Sequence, residues 1–456
     1  MKPTQDNLQF QLTDALIEQV EQLVLVENDK ALKQLLDEFH YADIAEILDE
    51  LDLEESVYVI KLLDSDTTSD ILTELDEDTR EKVLQNLSAK EIAQEIGELD
   101  TDDATDLISE LPEERQQAVI SQIEDEEHKV EIRELLAYRD DTAGGLMAKE
   151  LVKVYETWTV AGCLRRIRAQ AKEVTRVHSV YVVAKDETLI GRLSLKDLII
   201  AKSDQKIAEI AKTNVDYVNV NDDDEDVARV MAKYDLEAIP VVDDDKKLLG
   251  RITIDDILDV LKEEAERDYQ LAAGITKDVE ADDGILQLTR ARLPWLFLGL
   301  LGGIGAFIVM EGFQDAFTKY EVLFFFTPLI AAMAGNVGVQ SSAIIVQGLA
   351  NDDVKGSVNN RLFKEMLLAT LNGIILAIVL FLFVWAYTQE VDKALAISVS
   401  LVIVVIIAGL IGTFVPLFLN KRNIDPAIAT GPFITTSNDI LGILLYFWIA
   451  KMILGI

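Results

Sequence analysis

Five stretches in the last third of the chain run for 18 or more residues with almost no charge: Leu293–Met310, Val322–Asn351, Met366–Gln389, Ala394–Asn420 and Ala427–Ala450. About 20 apolar residues in a helix span the hydrocarbon of a bilayer. Because lipid offers no partner to an open N–H or C=O, such segments have to satisfy their backbone internally, as helices. This part of the chain is therefore expected to be an all-α membrane domain of five spans. Basic residues flank the first span (Arg290, Arg292) and gather in the second and fourth connections (Lys355, Arg361, Lys364; Lys421, Arg422), whereas the first and third connections hold one each (Lys319, Lys393). Lys and Arg are retained on the cytoplasmic side. The bias predicts a multi-pass protein of the plasma (inner) membrane, with the amino terminus in the cytoplasm and Ile456 outside.

The charge of the whole chain makes sense only once these spans are set aside. Of 42 Lys and Arg and 81 Asp and Glu, residues 294–456 hold only 8 and 10, so residues 1–293 hold 34 and 71, a net of −37. So acidic a part repels nucleic acid, whose binding needs clustered Lys and Arg; it attracts cations. A single cysteine, Cys163, excludes an internal disulfide and a thiolate zinc centre. The first 30 residues are too polar for a secretory signal.

Within the acidic part an apolar residue returns every twelve positions, as Leu36, Leu48, Ile60, Leu72, Leu84, Ile96, Ile108, Ile120 and Ile132, with a second series at Leu51, Leu63, Leu75, Leu87, Leu99 and Leu111. Three residues separate the two series, a spacing that fits one face of a helix, and acidic or turn-forming clusters fall between them. Short helices stacked into a right-angled or superhelical array are expected.

A second repetition follows with an offset of 59: VYVVAKDETLIGRLSLKDLI from Val180 aligns with IPVVDDDKKLLGRITIDDIL from Ile239, pairing Gly191 with Gly250, Ser194 with Thr253 and Asp197 with Asp256. Each copy reads as strand, acidic turn, strand, helix. This pattern resembles a tandem CBS pair, an α/β module that commonly binds adenine nucleotides or ions. The resemblance makes Ser194, Asp197, Thr253 and Asp256 candidates for holding ATP or AMP. Helix capping is their alternative role.

Taken in order, the helical acidic repeat (1–139), the CBS pair (140–254), a charged linking helix (255–276) and the spans (277–456) resemble the MgtE-type magnesium channels. PLIAAMAGNVGVQSSAIIVQGL in the second span and DPAIATGPFITTSNDILGILLYF in the fifth are similar to that family's pore motifs. The resemblance implies a homodimer conducting Mg2+ at a two-fold axis, embedded in lipid and closed by cytosolic domains that bind Mg2+. By that resemblance the ion-sensing carboxylates fall on Asp102, Asp103 and Asp106, on Asp223, Glu225 and Asp235, and on Asp256, Asp259, Glu264 and Asp268. One acidic position of the family is Arg267 here. Val339 and Gly431 stand where members often carry polar residues.

The residues support a pore on their own account. Asp439 is the one carboxylate well inside an expected span, and an ionisable group there is costly unless it faces water or a partner. Helical spacing groups Pro432, Thr435 and Thr436 with it; Asn336, Gln340 and Gln347 make a polar seam in the second span. Carboxylate, hydroxyl, amide and carbonyl oxygens suit a hard, hydrated cation such as Mg2+. Amides and hydroxyls also glue membrane helices together, which is the structural alternative. Two other functions remain open: a secondary transporter coupling Mg2+, Co2+ or Mn2+ to Na+ or H+, and a nonconducting sensor. No nucleophile and base pair or phosphate-cradling loop suggests an enzyme.

Overall fold

The computed structural model describes residues 10–170, 176–276, 279, 283–350, 357–422, 424–429 and 431–455. Asn351, Lys355 and Ile456, which entered the span and orientation arguments, lie outside them. The chain divides into two compact units, Met1–Leu261 and Lys262–Ile456, each described by itself below.

The first unit opens with ten helices of 8 to 12 residues between Asp14 and Leu135. Polar caps at the turns make them short. Asn28, Asp64, Ser88 and Asp125 each accept a hydrogen bond from a first-turn amide, satisfying donors that the helix itself leaves open. From Tyr41–Asp49 onward, most helices two apart in sequence pack together, as Tyr41–Asp49 does with Ser65–Glu74 and Ala89–Ile96 with Glu113–Gln122. All nine residues of the longer periodic series are 3% exposed or less. They form one continuous core, with the second series along its margin. The expected array of short helices is thus observed, and the twelve-residue period is the length of one helix plus its capped turn.

Next come two three-stranded sheets of identical topology. In the first, Val152–Tyr155 runs parallel to Val180–Val183, which pairs antiparallel with Leu189–Leu193; in the second the strands are Val218–Asn219, Ala238–Val242 and Leu248–Thr253. Val182 opposes Gly191, and Val241 opposes Gly250, so the offset of 59 preserves register. Glycine is needed at both positions: a Cβ would run into the carbonyl of Lys212 at Gly191 and into that of Ala148 at Gly250. The first strand of each sheet and its crossover helix, Val160–Gln170 or Asp224–Tyr234, precede the aligned segments and went unread in the sequence. The linking helix runs Ile254–Ala273, and the division between the units falls within it.

Among the described residues, the second unit contains five helices long and apolar enough to cross a membrane: Ile285–Glu311, Val322–Ala350, Val358–Thr388, Val391–Asn420 and Gly431–Leu454. Four starts differ from expectation; the third and fourth spans begin eight and three residues earlier, at Val358 and Val391. The first span begins eight residues earlier, at Ile285, taking Arg290 and Arg292 into the helix. The fifth begins later, because Ala427 belongs to the 3-10 turn Pro426–Ala429 and Gly431 takes a left-handed φ of +49° that no continuous helix accommodates. The fourth span is the most enclosed and packs against the second, third and fifth. Where second, fourth and fifth meet, only glycine fits: a Cβ on Gly338 would overlap the Asn438 amide, and one on Gly412 would overlap the Gly338 carbonyl. Small residues at such crossings let the backbones close up, the main source of association between helices in lipid.

Candidate functional site

Between the second and fifth spans lies a recess of about 340 Å³ lined by Ala331, Ala332, Gly335, Asn336, Val339, Gln340, Thr435 and Asp439. Its polar groups are one carboxylate, two amides and one hydroxyl. Gly335 brings the helices together, since a Cβ there would lie 3.3 Å from Thr435 Cγ2 and 3.7 Å from Asp439 Oδ1. Such a set of oxygens offers contacts to a hydrated divalent cation, with Asp439 supplying the charge.

Not every residue grouped by spacing reaches this recess. Consecutive helical residues are about 100° apart, so Thr435 and Thr436 diverge to either side of Asp439. Thr436 packs against Gly302 of the first span, Pro432 lies over Gly274, and Gln347 stands beyond the recess wall. Val339 lines the recess and gives that wall an apolar side. Glycine at 431 has a steric cause, because any side chain there would collide with the carbonyl of Ala272.

Three polar residues passed over in the sequence support the site. Asn438, buried, donates through Nδ2 to the Ala334 carbonyl at 3.3 Å. Glu365 Oε1 accepts from Ser341 Oγ at 2.6 Å, alongside Gly409. Asp439 is therefore not the only carboxylate among the spanning helices. Glu365 sits one residue before the expected start of the third span at Met366, and the helix actually begins two turns earlier, at Val358.

A second acidic site belongs to the first unit. The helix Thr101–Ser109 carries Asp102, Asp103 and Asp106 toward Asp256 at the start of the linking helix. Asp102 is buried, and its carboxyl is held well above the ordinary range by desolvation and then by Asp256. The same causes push Asp103 up to about 7; Asp106, on the rim of the group, also rises to about 7. Asp256 is raised to about 6 by burial, against the opposing effect of its hydrogen bonds from Thr253. Of the nearby cations, Arg251 has its Nη2 paired with Asp100 at 3.1 Å and its Nε donating to the Glu150 carbonyl, and Arg80, which acts on Asp106, is paired with Glu110. Asp259 acts on Glu74, raised by burial and by that carboxylate, a partner that sequence spacing gave no means of finding.

The remaining sensing candidates are dispersed. Asp223 caps the helix Asp224–Tyr234 by accepting from the Glu225 amide at 3.2 Å, and Asp235 ends that helix in the left-handed conformation; all three side chains are exposed. Glu264 pairs with Arg267 at 3.0 Å, and Asp268 lies one turn further along the linking helix, half-buried. The nucleotide candidates form matching caps. Ser194 Oγ donates to Asp197 at 2.7 Å, and Thr253 Oγ1 donates to Asp256 at 2.8 Å. Lys212 lies 3.8 Å from Asp197, whose carboxyl is lowered chiefly by the Ser194 bonds.

A helical repeat, a CBS pair and five apolar helices, the second and fifth of which flank an oxygen-lined recess, define a multi-pass membrane protein. Family models match at residues 39–141 (the MgtE intracellular N domain), 143–204 and 207–263 (CBS domains) and 327–449 (the MgtE family, divalent cation transporter). The chain is 36% identical to the magnesium transporter MgtE of Enterococcus faecalis over 70% of its own length and 71% of the relative. It is 35% identical to that of Thermus thermophilus over 71% and 72%. A solved cytosolic domain of the Mg2+ channel MgtE in complex with ATP, 34% identical, superposes with a TM-score of 0.51 over 54% of this chain and 99% of that one. The chain belongs to the MgtE family of magnesium transporters, whose members are transporters and not enzymes.

Proposed function

We propose that the protein is a Mg2+ channel that takes up magnesium across the plasma membrane as a homodimer and is closed by cytosolic Mg2+. The observation that carries this reading is the convergence of Asp439, Thr435, Asn336 and Gln340 on one recess. Asn336 and Gln340 are exposed in the single chain, and polar side chains facing lipid are expensive. A second copy placed over them would close the recess into a pore with one Asp439 from each protomer. Two carboxylates facing one another favour a dication between them, and amide and hydroxyl groups let it keep part of its water.

Closure follows from the soluble acidic site. Asp102, Asp103, Asp106 and Asp256 repel one another unless protonated or bridged, so an ion that binds only their compact arrangement stabilises it by mass action. Falling internal Mg2+ removes the bridges and releases the linking helix. Asp259, Glu264 and Asp268 on that helix, and Asp223, Glu225 and Asp235 before it, serve as further ligands on opening and closing. Adenine nucleotide, bound by the relative solved with ATP, would sit near the Ser194–Asp197 turn. The amino terminus is cytoplasmic, as the loop charges predict.

Flux into proteoliposomes tests the reading. Mg2+ entry should follow the Mg2+ gradient and membrane potential alone, and luminal Mg2+ on the cytosolic face should suppress it. Entry that requires a Na+ or H+ gradient would favour coupled transport instead.

A further inference from the structure

A different cluster lies in the first unit, where the last helix of the array, Glu126–Leu135, faces the segment entering the CBS pair. His128, Glu131 and Glu150 each bring one ligand atom to within 4.8 Å of the others. All three are half-buried along a cavity of about 560 Å³. We infer that this is a binding site for a first-row transition dication such as Mn2+ or Zn2+, separate in chemistry from the oxygen sites for Mg2+.

The imidazole carries the argument. His128 Nε2 lies 3.2 Å from the carbonyl of Ile96, outside the cluster. A carbonyl can only accept, so Nε2 carries a proton, and Nδ1, 4.0 Å from Glu150 Oε1, is the nitrogen left to face the carboxylates. A ring fixed through one nitrogen, with the other presented to carboxylates, is the usual outer-sphere arrangement of a metal-bound histidine. Glu150 is oriented in the same way: its Oε2 accepts from Thr101 Oγ1 at 2.8 Å and from the Thr101 amide at 3.2 Å.

Two lysines line the cavity, and Lys149, whose partner Glu134 is also on its wall, acts on Glu131. Lys149 pairs with Glu134 at 3.3 Å, and Lys153 pairs with Glu187 at 2.9 Å. Gln170 lines the same cavity, and its Oε1 is shut off from solvent with no hydrogen-bond partner among the described residues. Metal–ligand bonds of about 2.1 Å need the three side chains to close by roughly 1 Å. One nitrogen with two carboxylates selects against Mg2+, which prefers oxygen and retained water, and toward Mn2+ or Zn2+. Because His128 and Glu131 belong to the helical array and Glu150 to the CBS approach, a bound ion pins one to the other.

The chain has three histidines, which makes the site readable by its nitrogen. Mn2+ would be added to the full-length protein in excess Mg2+, so that oxygen sites are filled, and pulsed EPR used to detect 14N coupling. The expected result is a nitrogen-coupled Mn2+, displaced by Zn2+, that is lost in His128→Gln and retained in His178→Gln. Glu131→Gln should weaken Mn2+ by about tenfold or more while leaving the circular-dichroism melt unchanged, which guards against misfolding of the histidine variant. Absence of nitrogen coupling in the wild type, or its survival in His128→Gln, would overturn the assignment.

Discussion

The carbonyl oxygen of Ala272 occupies the position where a side chain on Gly431 would begin. Ala272 is in the last turn of the linking helix, and Gly431 opens the fifth span eight residues before Asp439. The helix proposed to sense the ion and the helix that carries the pore carboxylate therefore meet backbone to backbone, through the one residue type that permits it.

Gly431→Ala should separate them. The left-handed backbone at φ +49° costs a non-glycine residue about 1 kcal/mol or more, and the methyl group collides with Ala272. We expect a folded protein whose flux persists at internal Mg2+ levels that silence the wild type. Unchanged Mg2+ inhibition would show that this contact does not transmit closure.

Asp439→Asn keeps the volume and removes the charge from the recess. Divalent flux should fall by an order of magnitude or more, with the oligomeric state on size-exclusion unchanged. Wild-type flux from a folded variant would remove Asp439 from the pore.

Glu365→Gln tests the support beneath the motif of the second span. Loss of the charge-assisted bond to Ser341, worth about 1.5–3 kcal/mol, should lower the melting temperature in detergent. Flux should decline less than in Asp439→Asn, and Ser341→Ala should not add to the effect, since both remove the same bond. Additive losses would mean that Glu365 acts through another partner.

Protons should substitute for Mg2+ at the acidic site. Asp103 is raised to about 7 and Asp256 to about 6 in the folded chain, against about 3.9 when unfolded. A raised carboxyl contributes stability that is fully present below the unfolded value and is lost as pH rises through the folded one. Without divalent ions, the contact between the helical array and the CBS pair should therefore loosen as pH climbs from about 4 to about 8. Adding Mg2+ at pH 6 should release protons into a weakly buffered solution and flatten the profile of protease sensitivity against pH. A flat profile without Mg2+ would contradict the shared burial of these groups.

What could be read from the sequence follows from the physics of each element. The twelve-residue period was legible because a helix with its capped turn repeats burial at one residue in each unit, from Leu36 to Ile132. The spans were legible by length and hydropathy. Neither signal reports direction around a helix in a bundle, which is why Thr436, seemingly a neighbour of Asp439, proves to face Gly302. Contacts distant in sequence were equally hidden: Glu74 with Asp259, Arg251 with Asp100, and Ser341 with Glu365 leave no periodic trace. The helix start at Gly431 was legible too, since glycine next to proline at the entrance of an apolar run announces a break in the helix.

The stacking of alternate helices in the array gives it a grammar of even and odd units. A helix rests on the one two before it, as Tyr41–Asp49 and Ser65–Glu74 do, so each unit takes the opposite row from its immediate neighbours. Inserting one unit would exchange the rows for everything downstream and turn Asp102 and His128 away from the CBS side. Inserting a pair would lengthen the array and leave them where they are. Change in the length of this domain is thus constrained to parity, and a chimaera built with units added in twos should retain its response to cations where one built with a single added unit loses it.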